Sequence, residues 1–444
     1  MKIIRPLYIL ILFTLTGLTA HSSDKIIRIE HSGLKKTGKE TVECRLENKE
    51  GCEYSEEKWQ EERNTLIDLD IFADVQLNVD KCEEGTTLTY CFKELPSYII
   101  YPAMKRTDQD GLMVGPGITF MNIGGLGIHE EILSRYTVVP EVMRAKEVLS
   151  YTRIPKLNKI PFTAEFTLSY FESYNALKKY DENSCYSQLD LYYRFNRTLR
   201  ALATGSAFYV KHDKENPVFT EVSRDMEMFY GSGDWDYLPS AGAGFIIDTR
   251  ERLMNPHRGI YNEYRATVYG DKLGGDGDFI EYIWDFRAYI PAGEKHIIHT
   301  NLLGRYRPGT IPAYELYHVG GVNSLRVYEP DPSMCGQHEA LGTLEYRYEL
   351  FTHKQVSLWD MHGYYGLQFV AGFDNAVQWI KGDRYNKGTY YNSFYAGIHL
   401  LVPVLERVRF EFGYSGFEND RYVFNFGANM GWYEKASAQR RRVR

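Results

Sequence analysis

Beyond residue 20 the chain of 444 residues has no stretch approaching 18 apolar residues, so nothing after that point can cross a bilayer as a helix. An excess of one charge is also missing. The 52 Lys and Arg stand against 59 Asp and Glu, for a net charge of −7, which excludes a histone-like nucleic-acid binder. Hydrophobic content of 43% excludes a disordered tail protein. The short signatures of common enzymes are absent as well. No H-E-x-x-H and no Walker loop occur, and Gly413-Tyr414-Ser415-Gly416 falls short of G-x-S-x-G. No enzyme, cofactor or metal is therefore expected; Gly274-Gly275-Asp276-Gly277-Asp278 reads as a turn rather than a calcium loop. What the chain does have is Tyr (36 copies) and Gly (38 copies), which suits strands with one wet face joined by tight turns.

The first 20 residues have the order of a secretory signal peptide. Lys2 and Arg5 supply the charge, Leu7 to Leu18 the apolar run, and Leu18-Thr19-Ala20 the small-residue end. Export would expose Cys44, Cys52, Cys82, Cys91, Cys185 and Cys335 to oxidising conditions. Closeness in sequence makes Cys44 with Cys52, and Cys82 with Cys91, the expected disulfides; no C-x-x-C spacing supports zinc.

Residues 25–96 are acidic, with 11 Lys and Arg against 17 Asp and Glu. Ile26 to Glu30 alternates like a short strand, Thr41 to Leu46 and Ser55 to Leu69 read as helices, and Val75–Val79 with Thr87–Phe92 forms a hairpin. Ser55 is the expected cap of the second helix, followed by Glu56 and Glu57 in its first turn. Trp59, Arg63, Leu66 and Ile67 would form its inner face. The order is β-α-α-β-β, an α+β module large enough to hold a small core.

From Ser97 the period changes to two. Phe162 to Tyr170, Ile280 to Arg287, Leu344 to Glu349, Val408 to Phe412 and Phe424 to Trp432 all alternate apolar with polar. The strands are long, aromatics sit at the ends of the apolar faces, and connections alternate short with long. The short turns fall near Gly124, Asn196, Asn255, Pro291 and Pro403; the long connections fall near residues 175–185, 213–237, 308–337 and 375–389. These features favour a transmembrane all-β barrel over a soluble sandwich. About sixteen antiparallel strands are expected between Ser97 and Trp432. A basic tail, residues 433–444, ends Arg440-Arg441-Arg442-Val443-Arg444 and would suit anionic headgroups.

Three motifs carry a family resemblance. Leu69-Asp70-Ile71-Phe72-Ala73-Asp74-Val75 resembles the end of a POTRA domain's second helix and its next strand. Gly244 to Glu251, followed by Asn255-Pro256-His257-Arg258-Gly259, resembles a strand–turn–strand of the bacterial surface antigen barrel. Val319-Gly320-Gly321-Val322-Asn323-Ser324-Leu325-Arg326-Val327-Tyr328 resembles the sixth outer loop of the BamA-like superfamily, whose tip is V-R-G-F/Y. The resemblance implies a cell outer-membrane barrel of residues 97–432, with one periplasmic POTRA-like domain, residues 25–96.

It further implies that Arg326 and Tyr328 of that loop lie in the lumen, where Arg326 meets Glu345 and Asp374. Val327 departs from the family's glycine. A guanidinium fork suits two carboxylates, and alternation independently turns Glu345 and Asp374 to one face. The first and last strands would form a lateral seam, in which Pro102 removes a ladder donor. The implied function is insertion of other proteins into the outer membrane, or their translocation across it. Outer-membrane lipids, unfolded clients and accessory lipoproteins would be its partners. The alternative is a passive channel or surface-antigen barrel.

Overall fold

Strict alternation over ten or more residues leaves each strand one apolar and one polar face, and closing the sheet on itself satisfies every edge. A computed structural model describes residues 25–107, 111–138, 144–155, 162–175, 180–212, 235–251, 255–320, 325–328, 334–358, 361–380, 388–402, 406–415 and 421–428. The expected signal peptide and basic tail lie outside these residues.

The N-terminal module comprises β1 (Ile26–Ser32), α1 (Lys39–Glu43), α2 (Glu56–Ile67), β2 (Phe72–Cys82) and β3 (Gly85–Glu94). Its sheet has the order β1-β3-β2, with β1 parallel and β2 antiparallel to β3. Ser55 caps α2 by accepting from the Lys58 amide at 3.3 Å. The core joins Ile26, Val42, Leu66, Phe72, Val75, Leu88 and Tyr90, with Trp59 edge-on to Tyr90 at 5.6 Å.

Two expectations for the module are corrected. The helix buries Glu62 rather than Arg63 beside Trp59 and Leu66. Donors surround its carboxylate: the Tyr90 hydroxyl at 2.7 Å, the Asn48 amide group at 3.2 Å and the backbone of Glu47 and Asn48. Arg63 lies at the rim, donating to the Val75 carbonyl at 3.0 Å. The cysteines are all free thiols. In the hairpin Cys82 faces Gly85 while Cys91 faces Gln76, six residues further along. That is about 20 Å of strand, far beyond the roughly 7 Å that a disulfide spans. Cys44 instead donates to the Thr41 carbonyl at 3.6 Å, and Cys52 is exposed.

The barrel is built from β4 (Tyr98–Thr107), β5 (Gly111–Ile123), β6 (Ile128–Thr137), β7 (Arg144–Ile154), β8 (Phe162–Asn175), β9 (Tyr180–Arg194), β10 (Leu199–His212), β11 (Asp236–Asp248), β12 (Gly259–Gly270), β13 (Asp278–Pro291) and β14 (His296–Tyr306). After a long connection come β18 (His338–Leu358), β19 (Met361–Trp379), β20 (Thr389–Val402), β21 (Glu406–Ser415) and β22 (Arg421–Ala428). These sixteen strands close into one antiparallel cylinder, with β22 beside β4. The two-residue β15 (Gly309–Thr310) adds a seventeenth piece. Two connections are shorter than expected, because β8 and β9 run to Asn175 and from Tyr180, and β19 continues to Trp379.

The outer wall is apolar: Ile100, Phe166, Leu189, Phe245, Trp284, Leu344, Phe369 and Phe412 are among its exposed side chains. Such a belt is intolerable in water and natural in lipid. The inner wall holds the charges, with Glu131, Arg135, Asp285, Arg287, Glu345 and Glu411 all buried.

The module sits against one end of the cylinder. The turn at Gly124 and Gly125 has left-handed backbone (φ 64 and 74). Its Gly125 carbonyl accepts from the Gly38 amide at 2.9 Å and the Thr41 hydroxyl at 2.8 Å. A β-carbon on Gly125 would come within 2.5 Å of the Lys36 carbonyl. Buried His129 of β6 meets the Leu69 carbonyl at 2.8 Å, and Arg197 pairs with Glu61.

Candidate functional site

Between β14 and β18 the chain doubles back into the cylinder. Its first residues extend β13, Asp278 facing Thr310 and Phe279 facing Gly309. Further on, β16 (Tyr317–His318) pairs with β17 (Cys335–Gly336), so the loop carries a small hairpin of its own. The wall holds it by side chains that cap its backbone. Gln378 of β19 donates to the Tyr317 carbonyl at 3.0 Å, and within the loop Gln337 donates to the Arg307 carbonyl at 2.7 Å. Val319, Leu325 and Val327 are fully buried and pack with Ala376 and Tyr391 of the wall.

This packing delivers Arg326 to the inner wall. Its Nε lies 3.1 Å from Glu411 Oε2, Nη2 lies 3.6 Å from Glu345 Oε2, and Nη1 lies 3.7 Å from Asp374 Oδ1. The guanidinium carbon sits 3.6 Å over the Tyr395 ring, within reach of a cation–π contact. Each carboxylate has further support, as buried charge requires. Arg347 Nε lies 2.5 Å from Glu345 Oε1, and the Tyr395 hydroxyl donates to Glu345 Oε2 at 2.7 Å. Thr343 donates to Asp374 at 2.9 Å. His399 Nε2 lies 2.7 Å from Glu411 Oε1. Tyr328 shares a hydrogen bond of 2.8 Å with Ser415 and packs edge-on to Tyr391.

The structure thus brings together Arg326, Glu345 and Asp374, three of the residues expected to meet, and places Tyr328 of the same loop against Ser415 and Tyr391 of the wall. Sequence reasoning missed Glu411, Tyr395, His399 and Arg347. The signal for Glu411 was present, since alternation through Val408-Arg409-Phe410-Glu411-Phe412 turns it to the polar face. Tyr395 carried no such signal. Its place depends on Gly372, where a β-carbon would come within 2.3 Å of the Tyr395 hydroxyl.

Pro102 lies on the lipid side of β4, directly opposite Pro116 of β5. Two prolines cannot exchange amide hydrogen bonds, so this is a non-hydrogen-bonded pair and each nitrogen points away from the other. The donor missing at Pro102 therefore faces β22. There β22 and β4 meet over a shorter length than any other adjacent long strands among the described residues.

The Omp85 superfamily domain matches residues 148–432. The chain belongs to the Omp85 superfamily. The barrel spans the outer membrane, and the N-terminal module lies on its periplasmic side. A curated relative, the outer membrane protein assembly factor BamA of Nitratidesulfovibrio vulgaris, is 26% identical over 156 residues, which is 32% of this chain and only 18% of that protein. Among solved structures, BamA from Haemophilus ducreyi lacking POTRA domains 1–3 matches with a TM-score of 0.57 and 16% identity, covering 90% of this chain and 83% of the other. CdiB from Escherichia coli matches with a TM-score of 0.64 and 12% identity, covering 92% and 74%. At these identities the two structures speak to the fold.

Proposed function

We propose that this Omp85 member inserts polypeptides into the outer membrane, or carries them across it, with residues 25–96 serving as a single POTRA domain. The observation that carries the reading is the lumen loop, held by Arg326 against Glu345, Asp374 and Glu411. A loop packed inside the lumen narrows the channel, as loops do in other barrels, and its withdrawal would give this barrel the second arrangement that a translocator needs. The one relative reported above that is named for assembly agrees with this direction.

The route would begin at the periplasmic module. Its edge strand β2 borders a groove between Trp59, Arg63 and Val75–Asn78, the geometry that accepts an added strand. Arg63 caps the Val75 carbonyl there, so a client strand would displace one side chain to reach the edge. The second station is the β4–β22 seam, where Pro102 leaves one ladder bond unmade. An incoming strand could pair there with no exposed edge left in lipid. Neither station involves a chemical step. Clients and lipids are the partners this reading requires, and accessory lipoproteins belong to it as docking factors for the module.

Depletion of the protein, compared with replacement by Arg326→Ala, tests it. Loss of many barrels from the outer membrane indicates a general insertase, and loss of one or a few proteins a dedicated transporter. Unchanged outer-membrane and secreted proteomes would overturn the proposal and leave the channel reading.

A further inference from the structure

Glu345, His399 and Glu411 offer one imidazole nitrogen and two carboxylate oxygens, all buried and all within 4.8 Å of one another. Imidazole with carboxylates is a ligand set for borderline divalent ions such as Zn²⁺, Co²⁺ or Mn²⁺. We propose that this trio is a divalent-cation site, filled by the Arg326 guanidinium while the loop lies on the wall and by a metal ion when the loop withdraws. Withdrawal itself rests on the proposed function; the ligand set does not.

Orientation is the first argument. Glu345 has one oxygen, Oε1, engaged by Arg347 of the wall, and within the trio Glu411 Oε1 lies 2.7 Å from His399 Nε2. The remaining oxygens, Glu345 Oε2 and Glu411 Oε2, both turn to Arg326, at 3.6 and 3.1 Å. The guanidinium therefore stands where a cation would be ligated. The Tyr395 hydroxyl on Glu345 Oε2 supplies the kind of outer support that orients a ligand. The His399 ring is held on one side only, because its Nδ1 is buried with no hydrogen-bond partner among the described residues.

Charge is the second argument. Arg326 pairs with three carboxylates, and Arg347 with one of them. Arg409 of β21 also acts on Glu411, so the three carboxylates are met by Arg326, Arg347 and, less directly, Arg409. Removing Arg326 leaves these buried carboxylates short of positive charge, which is unfavourable. A divalent ion would restore it. The Arg326 ion pairs, at 3.1–3.7 Å, are longer than the roughly 2.7–2.9 Å of charge-assisted hydrogen bonds.

The test uses the full chain, folded in detergent and titrated with CoCl₂, whose visible bands report nitrogen and oxygen ligation, and with ZnCl₂ by calorimetry. Arg326→Ala should bind one ion per chain. The unaltered protein should bind at least about ten-fold more weakly, because the guanidinium must first leave. Adding His399→Gln or Glu411→Gln to Arg326→Ala should abolish the bands. Arg326→Gln gives the same readings should the alanine chain fail to fold. Absence of binding in both Arg326 variants, binding that survives both second substitutions, or equally tight binding by the unaltered protein would each overturn the site. No client enters this titration. An Arg326→Ala protein that loses clients but binds no ion would refute the metal site alone and leave the translocation reading standing.

Discussion

Val327 lies against Gly413: a β-carbon on Gly413 of β21 would come within 2.6 Å of Val327 Cγ2 and 3.2 Å of the Arg326 carbonyl. The loop tip, which has valine where the family has glycine, has no left-handed backbone at that position. The space that permits close approach is on the wall instead. Gly413→Ala should push the tip outward at a cost of about 1–3 kcal/mol, as overpacking does, and lengthen the Arg326 ion pairs. Client insertion should fall while the barrel still assembles. Val327→Gly in the same chain should restore it, since the two changes act on one contact. Equal client levels in all three proteins would show that the fit of the tip is unimportant.

Arg326→Ala should destabilise the barrel by roughly 3–5 kcal/mol, the usual cost of removing one partner from a buried charge cluster. Glu411→Gln in the same chain should recover part of that loss, because it removes one uncompensated charge. The measurement is the temperature at which the folded, faster-migrating species disappears on semi-native gels. A double variant no more stable than Arg326→Ala would mean that repulsion among the carboxylates is not the cause.

Pro102→Thr should restore a donor facing β22 and strengthen the seam by about 1 kcal/mol, the net worth of one hydrogen bond. Cysteine pairs placed across β4 and β22 should then crosslink more completely, and client insertion should slow. Unchanged crosslinking and unchanged insertion would remove Pro102 from any account of the seam.

The extent to which this molecule was legible in its sequence follows from periodicity. Period two over long strands is a property of each strand alone, so the barrel, its strand number and the inward aim of Glu345 and Asp374 could be read directly. Arg63 was assigned to the core of α2 because helical spacing counts positions and not partners. Only the fold shows that Glu62 meets the Tyr90 hydroxyl and the backbone of residues 47 and 48. Proximity in sequence suggested Cys82 with Cys91, whereas hairpin register separates them. The missed members of the Arg326 cluster come from β18, β20 and β21. Their meeting depends on the curvature of the cylinder and on Gly372 and Gly413, whose role is the space they leave.

His31 of β1 provides a pH prediction in the periplasmic module. Its ring stacks on Tyr90 at 6.0 Å and Phe92 at 6.2 Å, and both nitrogens are buried without a hydrogen-bond partner among the described residues. Burial pushes its pKa below the ordinary value of 6.5; nearby Glu43 opposes the shift and Lys39 adds to it. A histidine depressed in the folded state binds its proton more readily when unfolded. The module should therefore keep its full stability above about pH 6.5 and lose it progressively as pH falls below that value. Hydrogen exchange of the β1 and β3 amides in the intact protein, at about pH 7.5 and about pH 5.5 with intrinsic rates corrected, measures this directly. Protection should drop at the lower pH and should become less pH-dependent in His31→Phe, which keeps the stacking and removes the titrating group. Protection that is equal at both pH values, or a drop that persists undiminished in His31→Phe, would place the acid sensitivity elsewhere in the module.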